Sequence, residues 1–132
     1  MKVLLVNGSP RKEGNTYVAL NEFAQQLAKN GIQSELVWIG TKPVRGCVAC
    51  NSCHDNRCVF NDDITNSIIA KMEECDGLVI GSPVYYGQPA GPVCCLQQRM
   101  MYAGSSVMAN KPAAGICVCR RGGATAAFQS LN

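Results

Sequence analysis

No stretch of the 132 residues approaches the roughly 20 consecutive apolar residues that cross a bilayer, so the chain carries no candidate membrane-spanning helix. The opening apolar run, Met1 to Val6, is cut by Asn7-Gly8-Ser9-Pro10, too early for a secretory signal, and the expected location is cytoplasmic. Charge is sparse as well. Twelve Lys and Arg against nine Asp and Glu leave a formal +3, scattered along the chain without the basic stripe of a nucleic-acid surface. Neither nucleic acid nor membrane is an expected partner. The chain also lacks Gly-x-Gly-x-x-Gly and any Gly-Lys-Ser or Gly-Lys-Thr, so dinucleotide and nucleoside-triphosphate fingerprints are missing. No internal repeat or low-complexity tract competes with a globular reading.

The length matches one domain, large enough for a single core. Lys2 to Val6 is a short apolar run of the kind found in buried parallel strands. Asn15 or Thr16 can cap a helix with Leu20, Phe23, Ala24 and Leu27 on one face, ending at Asn30-Gly31. A second strand is predicted at Ser34 to Ile39, ending in Ile39-Gly40-Thr41 without the acidic residue that holds an NAD ribose. Residues 40–60 read as an elaborated cysteine-rich loop insertion. Asp62 or Asp63 can cap a helix over Ile64 to Cys75; a strand follows at Leu78 to Ile80 and a helix from Pro89 to about Tyr102. Ala113 to Cys119 reads as a fourth strand and Ala124 to Leu131 as helix. Alternating strands and helices imply an α/β fold: an open parallel sheet with helices on both faces. Ligands bind such sheets beyond the carboxyl ends of the strands, which directs attention to Gly8–Thr16, Ser82–Gly91 and Arg120–Gly123.

The first of these loops links a strand to a helix N-terminus, where unpaired amides and the helix dipole favour an anion. Ser9, Asn15 and Thr16 can add donors, Gly14 admits a close backbone approach, and Arg11 can pair with a dianionic phosphate. A phosphomonoester fits this chemistry.

Gly8-Ser9-Pro10-Arg11-x-x-Gly14-Asn15-Thr16 and Gly81-Ser82-Pro83-Val84-Tyr85-Tyr86-Gly87 together resemble the NADPH-dependent FMN reductase and iron–sulfur flavoprotein branch of the flavodoxin-like proteins. The resemblance runs from Met1 through Gly123. It implies a flavodoxin-like sheet of order 2-1-3-4 and FMN as cofactor, its phosphate in the first loop. In that family the second loop lies along the isoalloxazine ring, so Pro83, Val84, Tyr85, Tyr86 and Gly87 become candidates for the flavin edge. Arg120-Arg121-Gly122-Gly123 projects toward the same cleft. Positive charge there would favour reduced anionic flavin, and the family's matching turn implies Gly122 and Gly123 beside the ring. The implied activity is hydride transfer from NAD(P)H to flavin N5, then to a quinone, a small acceptor or a ferredoxin-like carrier. No catalytic side chain is required, because the flavin carries the chemistry. The rival reading is an electron-transfer protein that binds no nicotinamide; a third is a cofactor-free interaction module.

Nine cysteines in such a chain read as thiols, metal ligands or redox groups. Cys47, Cys50, Cys53 and Cys58 form one compact run that can surround a cubane, whereas structural zinc more often uses two separated pairs. The spacing leans toward a 4Fe-4S cluster and looks like the motif of iron–sulfur flavoproteins. Zinc, a reversible disulfide and unliganded thiols stay open. His54 is expected to be an exposed loop residue, and Cys75, Cys94, Cys95, Cys117 and Cys119 are expected to be buried apolar filler.

The flavodoxin-like resemblance also implies a fifth strand after the helix at 124–131, where this chain has no residues for one. The expectation is one FMN-binding domain over 1–132, incomplete at its C-terminal end, whose bare fourth strand favours a homo-oligomer, dimer or tetramer.

Overall fold

The structure, a computed structural model, describes residues 1–132. Lys2–Asn7 forms the first strand, β1, at the centre of the sheet; β2 (Gln33–Trp38) and β3 (Gly77–Tyr85) pair with it in parallel on either side. β4 (Gln88–Pro89) turns back antiparallel on β3, and β5 (Ala113–Val118) pairs in parallel with β3. The four parallel strands thus run β2-β1-β3-β5, the flavodoxin-like order expected from the sequence, with a two-residue antiparallel strand added. Helices α1 (Asn15–Lys29), α2 (Thr65–Glu73), α3 (Gly91–Ala103), α4 (Ser105–Met108) and α5 (Ala124–Leu131) complete the fold.

Period-two alternation along β1 sorts its side chains between two cores. Leu5, with Val79, faces Leu20 of α1, backed by Ala24 and Leu27. Leu4 and Val6, with Leu78 and Ile80, face Ile68, Ile69 and Met72 of α2 and Leu96 and Met100 of α3. Because both faces are covered, Leu4, Leu5 and Val6 are all fully buried, and the strand reads as continuously apolar. No helix is long and apolar enough to cross a membrane.

Several boundaries differ from the sequence reading. β3 does not stop at Ile80, because Ser82 and Pro83 continue the ladder opposite Cys117 and Val118 of β5. Residues 82–85 are therefore strand, and the connection to β4 shrinks to the two-residue turn Tyr86-Gly87, both at positive φ (50° and 77°), the type I′ pattern that suits a right-twisted hairpin. With Pro89 held in β4, α3 starts at Gly91, with Pro92 in its first turn where the missing N–H costs nothing. The short α4 has no periodic signature in the sequence. Of the cysteines expected to be buried filler, only Cys75 is buried; Cys94, Cys95, Cys117 and Cys119 are half-exposed, the last two because they sit on or just beyond the edge strand β5, which has a neighbour on one side only.

At the end of the sheet away from the strand C-termini, Glu35 accepts from Lys2 Nζ at 2.7 Å and also from Lys71 Nζ. The Lys2 contact, with Lys71 behind it, holds the Glu35 carboxyl below its usual range. A carboxyl depressed in the folded state adds stability above its unfolded value and loses it as pH falls through the folded one. Glu35→Gln is therefore expected to lower the urea midpoint slightly at pH 7 and to flatten its decline below about pH 4.5. Parallel acid limbs in the two proteins would contradict this.

Candidate functional site

Three segments converge beyond the carboxyl ends of β1, β3 and β5. The loop after β1 is held from within by Asn7, which is fully buried. Its Nδ2 donates to Lys12 O at 2.9 Å, and its Oδ1 accepts from Ser9 N–H at 3.1 Å. Ser9 Oγ accepts from Arg11 N–H at 3.1 Å, and Trp38 Nε1, at the end of β2, donates to Ser9 O at 2.7 Å. Gly8 donates its N–H to Gly81 O at 2.8 Å. A Cβ at Gly8 would lie 2.1 Å from Val93 Cγ2 and 2.8 Å from Gly81 O, so only glycine lets this loop sit on β3 and α3.

The sequence reading put Asn15 or Thr16 at the cap of α1. The cap is instead Gly14, in extended conformation and with no side-chain hydrogen bond. Its carbonyl accepts from Val18 N–H at 3.1 Å, while the amides of Asn15, Thr16 and Tyr17 have no partner within the chain. An uncapped first turn concentrates the positive end of the helix dipole on those three N–H groups. Ser9, Arg11, Gly14, Asn15 and Thr16 surround them.

The cleft they open into, about 480 Å³, is closed by Pro83, Val84 and Tyr85 of β3 and by Val118, Cys119 and Arg120 at the end of β5. That volume lies within the usual range for small-molecule sites. Nine of the candidates named from sequence thus share one cavity. Tyr86, Gly87, Gly122 and Gly123 do not line it; Tyr86 is fully exposed at the hairpin turn. Gly123, at φ 86°, caps α5, and a Cβ there would come 2.9 Å from Gly87 Cα. These two glycines bring the hairpin and the arginine turn into backbone contact. Ser82 Oγ accepts from Ala90 N–H at 2.9 Å and so ties the β3 loop to the start of α3.

A second site lies in the loop after β2. Cys47, Cys50, Cys53 and Cys58 line one narrow recess with Phe60, Arg99 and Tyr102. Burial and the neighbouring Cys58, Cys50 and Cys47 push the Cys53 thiol up. No group of three or more His, Cys, Asp or Glu side chains is disposed to hold a metal ion. A zinc site requires its sulfurs about 2.3 Å from one point, whereas an iron–sulfur cubane spreads its ligands around a body of several atoms. The donor set at the recess is all thiol, the ligand chemistry of an iron–sulfur cluster. His54 is exposed and pairs with Asp55.

Several contributors escaped the sequence reading. Arg99, fully buried, donates from Nε to Cys58 Sγ at 3.3 Å, from Nη2 to Phe60 O at 2.8 Å, and from Nη1 to Asp63. Burial opposes ionisation of Asp63, yet N–H donation from Thr65 and Arg45, together with Arg99, holds its carboxyl below the usual range. Asn66 brackets Cys58, with Oδ1 accepting from its N–H and Nδ2 donating to its carbonyl, both at 2.9 Å. One signal was available for Arg99: a lone cation on the apolar stripe Val93, Leu96, Met100, Ala103 of a helix.

An open parallel sheet of this order, with an anion cradle and a cleft at its C-terminal edge, defines a flavodoxin-like protein. The family model described as NADPH-dependent FMN reductase matches residues 1–132, and the chain belongs to that family. It is 38% identical over 100 residues to an iron–sulfur flavoprotein of Methanocaldococcus jannaschii, covering 75% of this chain and 51% of that one. To an iron–sulfur flavoprotein of Archaeoglobus fulgidus it is 35% identical over 135 residues, 99% of this chain and 66% of the relative. The chain therefore spans about half to two thirds of the length of these relatives. Among solved structures, the flavoenzyme NAD(P)H:(acceptor) oxidoreductase FerB of Paracoccus denitrificans superposes with a TM-score of 0.67 at 23% identity, over 98% of this chain and 68% of that one.

Proposed function

We propose that the chain is the FMN-binding part of an NAD(P)H-dependent oxidoreductase, passing electrons to a quinone, a small acceptor or a ferredoxin-like carrier. The observation that carries this reading is the uncapped first turn of α1: three free amides beside Arg11 and Ser9, opening into a cleft lined by β3 and β5 residues. Membership of the FMN reductase family supports it. FMN, when bound, supplies the hydride-accepting N5. The chain's own residues do the rest. The amides of Asn15, Thr16 and Tyr17 and the Arg11 guanidinium would hold the phosphate, Pro83, Val84 and Tyr85 would lie along the ring, and Arg120 would place positive charge at the cleft wall. Gly87, Gly122 and Gly123 shape this rim through their backbone.

The second reading, an iron–sulfur flavoprotein exchanging single electrons with protein partners, is favoured by the four thiols around one recess and by the names of the relatives. The loop 40–60 would then be the insertion that carries a 4Fe-4S cluster. Nine free cysteines suit a reducing, cytoplasmic setting, and the exposed edge of β5 suits assembly with further copies.

A titration with FMN and riboflavin tests the cradle. Arg11→Ala is expected to weaken FMN by about 10- to 100-fold and riboflavin by much less, since one charge-assisted contact to phosphate is lost. Equal loss for both ligands would remove Arg11 from the phosphate site. Rapid bleaching of flavin absorbance at about 450 nm on anaerobic addition of NADPH would favour the enzyme over the pure electron carrier.

A further inference from the structure

The segment from Gly40 to Phe60 carries no helix or ladder beyond one isolated bridge between His54 and Arg57. Four of its non-glycine residues, Ala49, Asn51, Asp55 and Asn56, adopt positive φ. Backbone hydrogen bonding alone therefore does not fix where its thiols face. What reaches into it from the rigid part of the fold is Arg99. Its helix is anchored by Leu96 and Met100, both fully buried, and its side chain is 1% exposed. Every acceptor it meets lies on or beside the cysteine segment: Arg45 O from Nη1 at 3.4 Å, Phe60 O from Nη2 at 2.8 Å, Asp63 from Nη1 and Cys58 Sγ from Nε at 3.3 Å. Arg45 and Phe60 bracket all four cysteines in sequence. Asp63 in turn accepts from Arg45 N–H at 3.0 Å and from Thr65 N–H at 3.0 Å, which joins the start of the loop to the start of α2.

We infer that Arg99 is the positioning residue of the cysteine site: its fork fixes both ends of the loop, and its Nε–H bond to Cys58 Sγ sets the electron affinity of a cluster bound there. The second clause rests on the cluster reading above; the first does not. A buried ion pair alone has a weak stability rationale, because well-packed apolar residues often do as well. The rigid planar fork of arginine reaches four separate acceptors from fixed directions, whereas a lysine ammonium has three donors gathered on one atom. On one-electron reduction no bond forms or breaks and the added charge falls partly on the sulfur ligands. An N–H aimed at one of them stabilises the reduced state and raises the potential.

Three proteins decide the matter: the native chain, Arg99→Lys, and Asn66→Ala, which loosens the backbone at Cys58 and removes one of two donors to Phe60 O while leaving the Arg99 Nε–H to Cys58 Sγ bond in place. In metal-free protein, amides of residues 45–60 are expected to exchange about tenfold faster in Arg99→Lys than in the native chain, with the sheet unchanged; native protection in that segment overturns the inference. After anaerobic loading with ferrous iron and sulfide, a mediated dithionite titration should give Arg99→Lys a lower midpoint potential than native and Asn66→Ala a native one. An unshifted Arg99→Lys, or an equal shift in Asn66→Ala, overturns the role of the N–H to sulfur bond. A native chain that takes up no iron and sulfide refutes the cluster reading instead, and the exchange measurement still decides the positioning role. If Arg99→Lys does not fold, Arg99→Gln combined with Asp63→Asn, which removes both charges together, takes its place in both measurements.

Discussion

Gly14→Asp is expected to abolish FMN binding while making the flavin-free protein more stable. Position 14 is the cap of α1, and as a glycine it offers the first turn no side-chain acceptor. Its φ of −83° is ordinary for any residue, and an added Cβ would meet Arg11 Cβ at 3.2 Å and Ser9 Oγ at 3.7 Å, a fit that needs shifts of a few tenths of an ångström. A carboxylate there would accept from the amides of the first turn and complement the dipole, a gain of about 0.5–1 kcal/mol. It would also stand where a phosphate dianion has to stand. Loss of those amides together with like-charge repulsion should weaken FMN on the order of 100-fold or more, and riboflavin far less. Thermal melts of the flavin-free variant and titrations with both ligands check the two halves. A destabilised variant that still binds FMN would mean that the cradle is not the phosphate site.

The second large effect concerns Asp63. Removing it alone, as in Asp63→Ala, strands the Arg99 guanidinium in the interior and takes an acceptor from the N–H groups of Arg45 and Thr65. The expected loss is about 3–5 kcal/mol, typical when one partner of a buried ion pair is deleted. Arg99→Met alone should cost a similar amount, because it leaves the Asp63 carboxylate buried without its cation. The double replacement should cost much less than the sum, since no unpaired charge remains. Urea denaturation of the four proteins measures the coupling, and additive losses would show that the pair acts as two separate groups. Because hydrogen bonds hold the Asp63 carboxyl below its usual range despite burial, this stabilisation is present at neutral pH. It is lost as the pH falls through the folded-state value.

The sequence carried the sheet because apolar runs in buried parallel strands and caps at helix ends are local signals. β1, β5 and α5 were read within a residue of their observed limits. The three segments of the cleft were legible for the same reason: each lies at or just after the carboxyl end of a strand, so its position was set once the strand was placed. What escaped depended on side-chain contacts and strand partners that the period of a single element does not report. β3 runs past Ile80 to Pro83 because β5, some 35 residues later, continues the ladder, and it reaches Tyr85 by pairing with β4. Gly14 displaced Asn15 as the cap of α1 because Ser9, Arg11 and Asn7 hold the preceding turn among themselves. The cysteine spacing was visible, but the residue that grips the loop, Arg99, lies 41 positions beyond Cys58, and no local pattern reports a contact of that span.

The meeting of Gly123 and Gly87 has a bearing on redesign of the pocket. Backbone atoms of Gly87 occupy the space where a side chain at 123 would go, and both glycines hold a positive φ that L side chains rarely adopt, so a combinatorial library randomising this rim would be depleted at both. Diversity aimed at a new electron acceptor is better spent on Tyr85 and Arg120, whose side chains face the cavity from the same two turns without joining them.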